Sequence, residues 1–311
     1  LLLPYWVVLY GGDVICRCNT EFMEKQKRAY LCAFAAILFW ATSASAFKIS
    51  LGYIDVFSLL FYASITSTIA FLVYLLISNK FKLLKRLSVK DYVYSVFLGF
   101  LNPFLYYAVL FKAYSILPAQ EAQPLNFIWP ITLVLLSIPL LKQKIRLRDI
   151  LATFISFSGV LVISTHGNLF GFRFTNITGV CLATGSSVVW ALFWIYNVRD
   201  KRDEVVRLFL NFVFGSILTF LLMVFFTGVR VPYPPGLFGA VFIGLFEMGI
   251  TFLLWLKALK LSKTTAYVTN LIYMVPFLSL ILIHITVGEE ILPSTITGLV
   301  LIVGGIVLQR L

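Results

Sequence analysis

Apolar residues in this chain come in long unbroken runs, separated by short clusters of charge. Ten such runs can be drawn, at 30–48, 56–78, 91–115, 118–141, 147–165, 176–198, 205–227, 235–258, 264–287 and 292–310. Each is around 20 residues, the length that carries a helix across a hydrocarbon core of about 30 Å. A run of ten fits a strand or a buried core helix, but these are twice that length. In lipid no water is available to backbone N–H and C=O groups, so each segment must pair its own. The pattern predicts an all-α membrane protein with ten transmembrane helices.

Composition agrees. Hydrophobic residues make up 60% of the chain and charged residues 12%, about half the charge of a soluble domain. Mean hydropathy is +0.97. The net charge of +12 does not point to nucleic acid, because the Lys and Arg residues sit at the ends of the apolar runs. There they set orientation. With a cytoplasmic N-terminus, 21 of the 25 basic residues fall on the cytoplasmic side, leaving Lys48, Lys112, Arg173 and Arg230 opposite. A miscounted helix would scramble that alternation. The expectation is a multi-pass protein of the cytoplasmic membrane with both termini cytoplasmic.

Residues 1–28 read as a cytoplasmic N-terminal extension. The run Leu1–Tyr10 is too short to span, and Met23-Glu-Lys-Gln-Lys-Arg resembles an ordinary start before the first helix. Residues 1–22 are therefore expected to lack function. Ala44-Ser45-Ala46 after a basic start and an apolar run imitates a cleaved signal. The first helix has a counterpart in the second half, which argues against cleavage.

That counterpart belongs to an internal repeat over 29–168 and 176–311. Trp40 matches Trp190 at an offset of 150, which also pairs Ala29 with Gly179 and Ala33 with Ala183. Phe-Lys-Ala at 111–113 matches Leu-Lys-Ala at 256–258. Pro130 matches Pro276 at an offset of 146, as Ala152 does Gly298 and Gly159 does Gly305. Five helices per repeat is an odd number, so the second copy enters the membrane from the opposite side. Inverted repeats give two nearly equivalent conformations, each open to one side, which suits a transporter. The small residues read as helix-packing faces, with a dimer interface on the fifth and tenth helices as the alternative.

Ten helices in two five-helix repeats resemble the drug/metabolite transporter superfamily, EamA type. Trp40, Trp190, Pro130, Pro276 and Gly288-Glu289-Glu290 before a Gly-rich last helix carry the resemblance. The first half departs from it, with Lys142-Gln143-Lys144 at the place of Gly-Glu-Glu. Leu125-Asn126-Phe127-Ile128-Trp129-Pro130 is similar to a segment of aromatic amino-acid exporters, as is Val189-Trp190-Ala191. The resemblance implies a bundle around a central cavity working by alternating access, with small metabolites, such as amino acids, exported.

Several residues could serve such a site. Gln120, Gln123 and Asn126 share one helical face, and amides in lipid need partners, a cavity or a polar solute. Interhelical hydrogen bonds fit equally. Trp129 and Pro130 place a ring beside a helix break, as gate or as kinked packing. Tyr267, Asn270, Tyr273 and Pro276 are the counterparts on the ninth helix. Trp40, Trp190 and Trp194 can wall an apolar, aromatic or cationic solute or simply pack. Glu247, near the middle of the eighth helix, must be protonated, paired or solvated by a cavity, and marks a coupling site or a structural pair. Lys112 and Glu121 flank an outer turn and can pair there or draw in charged solute.

No HExxH, GxSxG or P-loop occurs, so an enzyme is not expected, and no cofactor or metal is implied. Cys16, Cys18, Cys32 and Cys181 form no zinc pattern, and His166 and His284 are too separated for a metal centre. The expected partners are a small-molecule substrate and the lipid bilayer, without nucleic acid, as a monomer or a homodimer. A membrane-embedded enzyme or a channel is the alternative.

Overall fold

The computed structural model describes residues 6–117, 125–169, 176–229, 232–287 and 292–310, and their regular structure is helical throughout. Helix α1 spans Trp6–Ser50 and α2 Val56–Ile77; a 3-10 turn at Phe81–Arg86 leads to α3, Val89–Gly99. A π-helical turn at Phe100–Leu105 separates α3 from α4, Tyr106–Ile116. Then follow α5, Trp129–Leu141, α6, Leu147–Ser164, α7, Ile177–Arg199, and α8, Glu204–Phe226. Next come α9, Pro234–Phe242, a second π turn at Ile243–Gly249, and α10, Ile250–Leu261. Helix α11, Thr265–Thr269, passes through a 3-10 turn at Asn270–Tyr273 into α12, Met274–Val287, and α13 closes the chain at Pro293–Arg310. Among the described residues, six helical stretches are long and apolar enough to cross a membrane: Val56–Ile77, Val89–Leu110, Leu147–Ser164, Ile177–Arg199, Glu204–Phe226 and Pro234–Leu261.

Polar caps start these helices where the sequence turns apolar. The Asp55 carboxylate accepts from the Phe57 and Ser58 amides, and Asp203 does the same for Val205 and Val206. Ser88 and Asp91 form a reciprocal capping box on α3. Each satisfies amides that the first helical turn leaves unpaired. The first helix departs from expectation, since it runs unbroken from Trp6 instead of beginning near residue 30.

The helix breaks fall differently from the sequence reading. Pro130 does not kink a helix: α5 begins at Trp129, so the proline sits in the first turn, where its missing N–H costs nothing. Pro276 likewise lies in the first turn of α12, after the 3-10 segment. The deep interruptions are instead the two π turns. Each has a glycine at its start, just before the first turn and at the second residue of the other, pressed on another helix. A Cβ on Gly99 would meet the Gly215 amide of α8 at 2.8 Å, and one on Gly244 would meet the Ala63 carbonyl of α2 at 2.5 Å.

Small residues also seat α6 on α13. A Cβ on Gly159 would meet the Gly298 carbonyl at 2.5 Å, and one on Gly298 the Gly159 carbonyl at 2.6 Å. The small face of these helices is therefore used within the chain. Elsewhere α2 packs on α8, α1 on α10 and α12, and α7 on α4 and α5.

Candidate functional site

The largest buried cluster surrounds a group of indoles. Trp40 comes from α1, Trp129 from the start of α5, Trp190 and Trp194 from α7, and Trp255 from α10. Ring centroids lie 6.3 Å apart for Trp40–Trp190, 5.4 Å for Trp40–Trp255, 5.9 Å for Trp129–Trp190 and 5.8 Å for Trp129–Trp255. Most meet edge-on or tilted, as ring quadrupoles favour. Trp129 and Trp190 are buried and Trp194 and Trp255 fully so, whereas Trp40 is half-buried. The indole N–H groups of Trp190, Trp194 and Trp255 have no hydrogen-bond partner. Buried donors are nearly always paired, so these leave hydrogen-bonding capacity inside the bundle.

Two adjacent tyrosines at the start of α4 link this cluster to polar groups. Tyr106 lies 4.4 Å from Trp190 by ring centroid and donates to Asn126 Oδ1 at 3.1 Å. Tyr107 donates to Glu247 Oε1 at 3.0 Å. Glu247 sits in the second π turn, a distortion that re-aims side chains and recurs at functional sites. Its carboxyl group is buried, Ser43 of α1 lies beside it, and Oε2 has no hydrogen-bond partner. Phe246 stacks on Phe39 at 5.5 Å, fixing the turn against α1.

The structure thus gathers Trp40, Asn126, Trp129, Trp190, Trp194 and Glu247. It places other candidates apart. Asn270 donates to Gln309 of α13 at 3.4 Å. Tyr273 is buried with Ile131, Val160, Ile163 and Ile302, and meets Phe157 at 6.1 Å. Both are turned toward α6 and α13. Tyr267 is half-buried on α11, Lys112 is exposed on α4, and Gln123 and Glu121 lie outside the described residues. Tyr106, Tyr107 and Trp255 escaped the sequence reading. A Tyr pair just after Pro103, a proline inside a membrane run, was the available signal for the first two.

A second polar group lies at the turn between α7 and α8. Arg202 pairs with Asp200 at 2.6 Å and donates to the Asp91 carbonyl of α3 at 2.8 Å. Lys260 of α10 approaches Glu204 at 3.7 Å, and Lys80 pairs with Asp203 at 2.6 Å. Burial works to raise the Asp203 carboxyl, but its bonds from Lys80 and from the Val205 and Val206 amides outweigh that and hold it below the usual carboxylate range. The same bond from Lys80 to Asp203 raises the lysine above its usual value. Among the described residues no three His, Cys, Asp or Glu side chains converge as a metal site would need.

Membrane-length apolar helices, interrupted beside buried aromatic rings and the Glu247 carboxyl group, mark a multi-pass membrane protein. The EamA-like transporter family model matches twice, at residues 27–165 and 177–310, and the chain belongs to this family. It is 26% identical over 293 residues to the uncharacterized transporter YvbV of Bacillus subtilis, covering 92% of each chain. It is 27% identical over 205 residues to the aromatic amino acid exporter YddG of Ancylobacter novellus, covering 65% of this chain and 70% of that one. A solved crystal structure superposes with a TM-score of 0.78 at 23% identity, over 90% of this chain and 96% of the other. The family and these relatives are named as transporters, not enzymes.

Proposed function

We propose that this chain is a secondary transporter that exports amino acids or related small metabolites across the cytoplasmic membrane by alternating access. In this reading ten membrane helices form two inverted five-helix repeats, 29–168 and 176–311, with both termini cytoplasmic. Three contacts between repeat-equivalent residues support it. Trp40 meets Trp190 at 6.3 Å, Thr68 Oγ1 lies 3.0 Å from Ser216 Oγ, and Ser156 Oγ donates to the Ile302 carbonyl at 3.2 Å. Their offsets are 150, 148 and 146. Equivalent residues touch each other only near a two-fold axis. The helix pairing agrees, since α1 packs on α10 and α12 as α7 packs on α4 and α5.

The observation that carries the reading is the Trp40–Trp190 contact on that axis, ringed by Trp129, Trp255 and Tyr106. A site on the axis presents similar walls to both sides of the membrane, as a carrier requires. The aromatic walls suit an apolar or aromatic side chain. Glu247 suits an ammonium group or an exchangeable proton, and Pro130 and Pro276 mark the helix starts where gating is proposed. Amino acids and export follow from the exporter among the relatives.

The test is counterflow. Proteoliposomes loaded with unlabelled L-phenylalanine should transiently accumulate labelled L-phenylalanine above equilibrium, and Trp190→Ala should cut that overshoot at least tenfold. Failure with every amino acid tried sinks the substrate class. Flux that never saturates points to a channel instead.

A further inference from the structure

The two π turns are repeat-equivalent, and the first carries a polar residue that matches Glu247. The offset of 145 that pairs Phe-Lys-Ala at 111–113 with Leu-Lys-Ala at 256–258 also pairs Gly99 with Gly244 and Asn102 with Glu247. Both glycines press on the second helix of the other half, as described. Three residues on, each repeat offers a hydrogen-bonding side chain from a broken helix. Asn102 has extended backbone angles, φ −153° and ψ 128°, inside the turn. It is fully buried, and neither Nδ2 nor Oδ1 has a hydrogen-bond partner.

The symmetry explains that isolation. Glu247 is held by Tyr107, and the residue equivalent to Tyr107 is Phe252. Phe252 is a buried ring packed against Trp190, Trp194 and Phe212, with nothing to donate or accept. A buried amide left without partners is costly. A partner from outside the protein would relieve that cost.

We infer that Asn102 is a second polar contact for the transported solute, placed by the break between α3 and α4 as Glu247 is placed by the break between α9 and α10. This rests on the carrier reading above. An amide offers a donor and an acceptor together, which fits a solute with both, as an amino acid's carboxylate and ammonium groups provide. Glu247, when ionised, accepts hydrogen bonds and donates none. In this reading the two positions meet different parts of one polar end, with the body of the solute on the indoles.

The experiment uses the full chain with L-phenylalanine, phenethylamine, which lacks the carboxylate, and 3-phenylpropionate, which lacks the ammonium group. Asn102→Leu, of similar volume and without hydrogen bonds, should raise the KM for L-phenylalanine counterflow tenfold or more. Its thermal midpoint in detergent should stay level or rise. Asn102→Asp, which accepts but does not donate, should shift preference from L-phenylalanine toward phenethylamine. A lowered midpoint for Asn102→Leu, or unchanged KM and preference in both variants, overturns the inference. If the wild type moves none of the three probes, the amino-acid reading falls by itself. The midpoint of Asn102→Leu then decides alone, with a fall marking Asn102 as structural and a level or raised value keeping it as a solute contact.

Discussion

The two π turns share a backbone device and differ in what they hold. At Phe100–Leu105 the polar residue is an amide, the following residue is Pro103, and its ring packs against Gly215 of α8. At Ile243–Gly249 the polar residue is a carboxyl group, met by Tyr107 from the other half, and Ser67 of α2 donates to the Gly244 carbonyl at 2.7 Å. The position that corresponds to Ser67 in α8 is Gly215, which has no hydroxyl. Among the described residues, the second break is thus tied by side-chain hydrogen bonds and the first by close packing. The backbone shape of the break is shared, while one turn presents a carboxyl group and the other an amide.

The largest effect should come from the glycines that set both breaks. Gly99→Val and Gly244→Val force a side chain into backbone of α8 or α2, at a cost of about 3 kcal/mol each. Thermal midpoints in detergent should fall by several degrees. Gly185→Val, where an added Cβ meets nothing within 4 Å, should leave the midpoint unchanged. If only one of Gly99 and Gly244 is sensitive, the two breaks are not equivalent supports.

Next in size is the chemical difference. Glu247→Gln keeps an acceptor for Tyr107 and should fold with a midpoint close to the wild type, yet lose the pH-dependence of transport. Rates in proteoliposomes between pH 6 and 8 decide it, and a pH profile that survives the substitution removes Glu247 from coupling.

The smallest effect concerns Lys80 and Asp203, which join the ends of the two helices that bear on the breaks. The pair is partly exposed, so Lys80→Met should cost about 0.2–1 kcal/mol. Asp203 is depressed in the folded state, so its contribution is present above about pH 4 and lost as pH falls through its folded value. Lys80 is raised, so its contribution is present below about pH 10.4 and lost as pH rises through its folded value. The midpoint difference between Lys80→Met and wild type should therefore be equal at pH 6 and pH 8. A difference that changes across that window would mean that this pair itself answers to neutral pH.

Much of the site was legible as residue types and little of it as partners. Trp40 and Trp190 stand out because large aromatics at repeat-equivalent positions are rare by chance. Glu247 stands out because a carboxyl group in lipid needs a reason. Trp255 has Leu110 at its repeat-equivalent position, and only packing reveals that it touches Trp40 and Trp129. Asn270 and Tyr273 share a helical face with the proline, as the spacing says, but that face meets α6 and α13. A face is a local property of one helix, while its neighbour depends on how all the helices are arranged.

Run lengths and repeat offsets follow from the chain alone, because spanning lipid and repeating a segment are local constraints that the residue pattern records. The membrane class, the helical architecture and the match of Trp40 with Trp190 were all written there. Which groups end up paired was decided by the tertiary structure. Tyr107 reaches Glu247 across 140 positions of sequence, while Asn102 in the matching turn has no hydrogen-bond partner. Both outcomes depend on where broken helices from two halves meet, and no local pattern carries that distance.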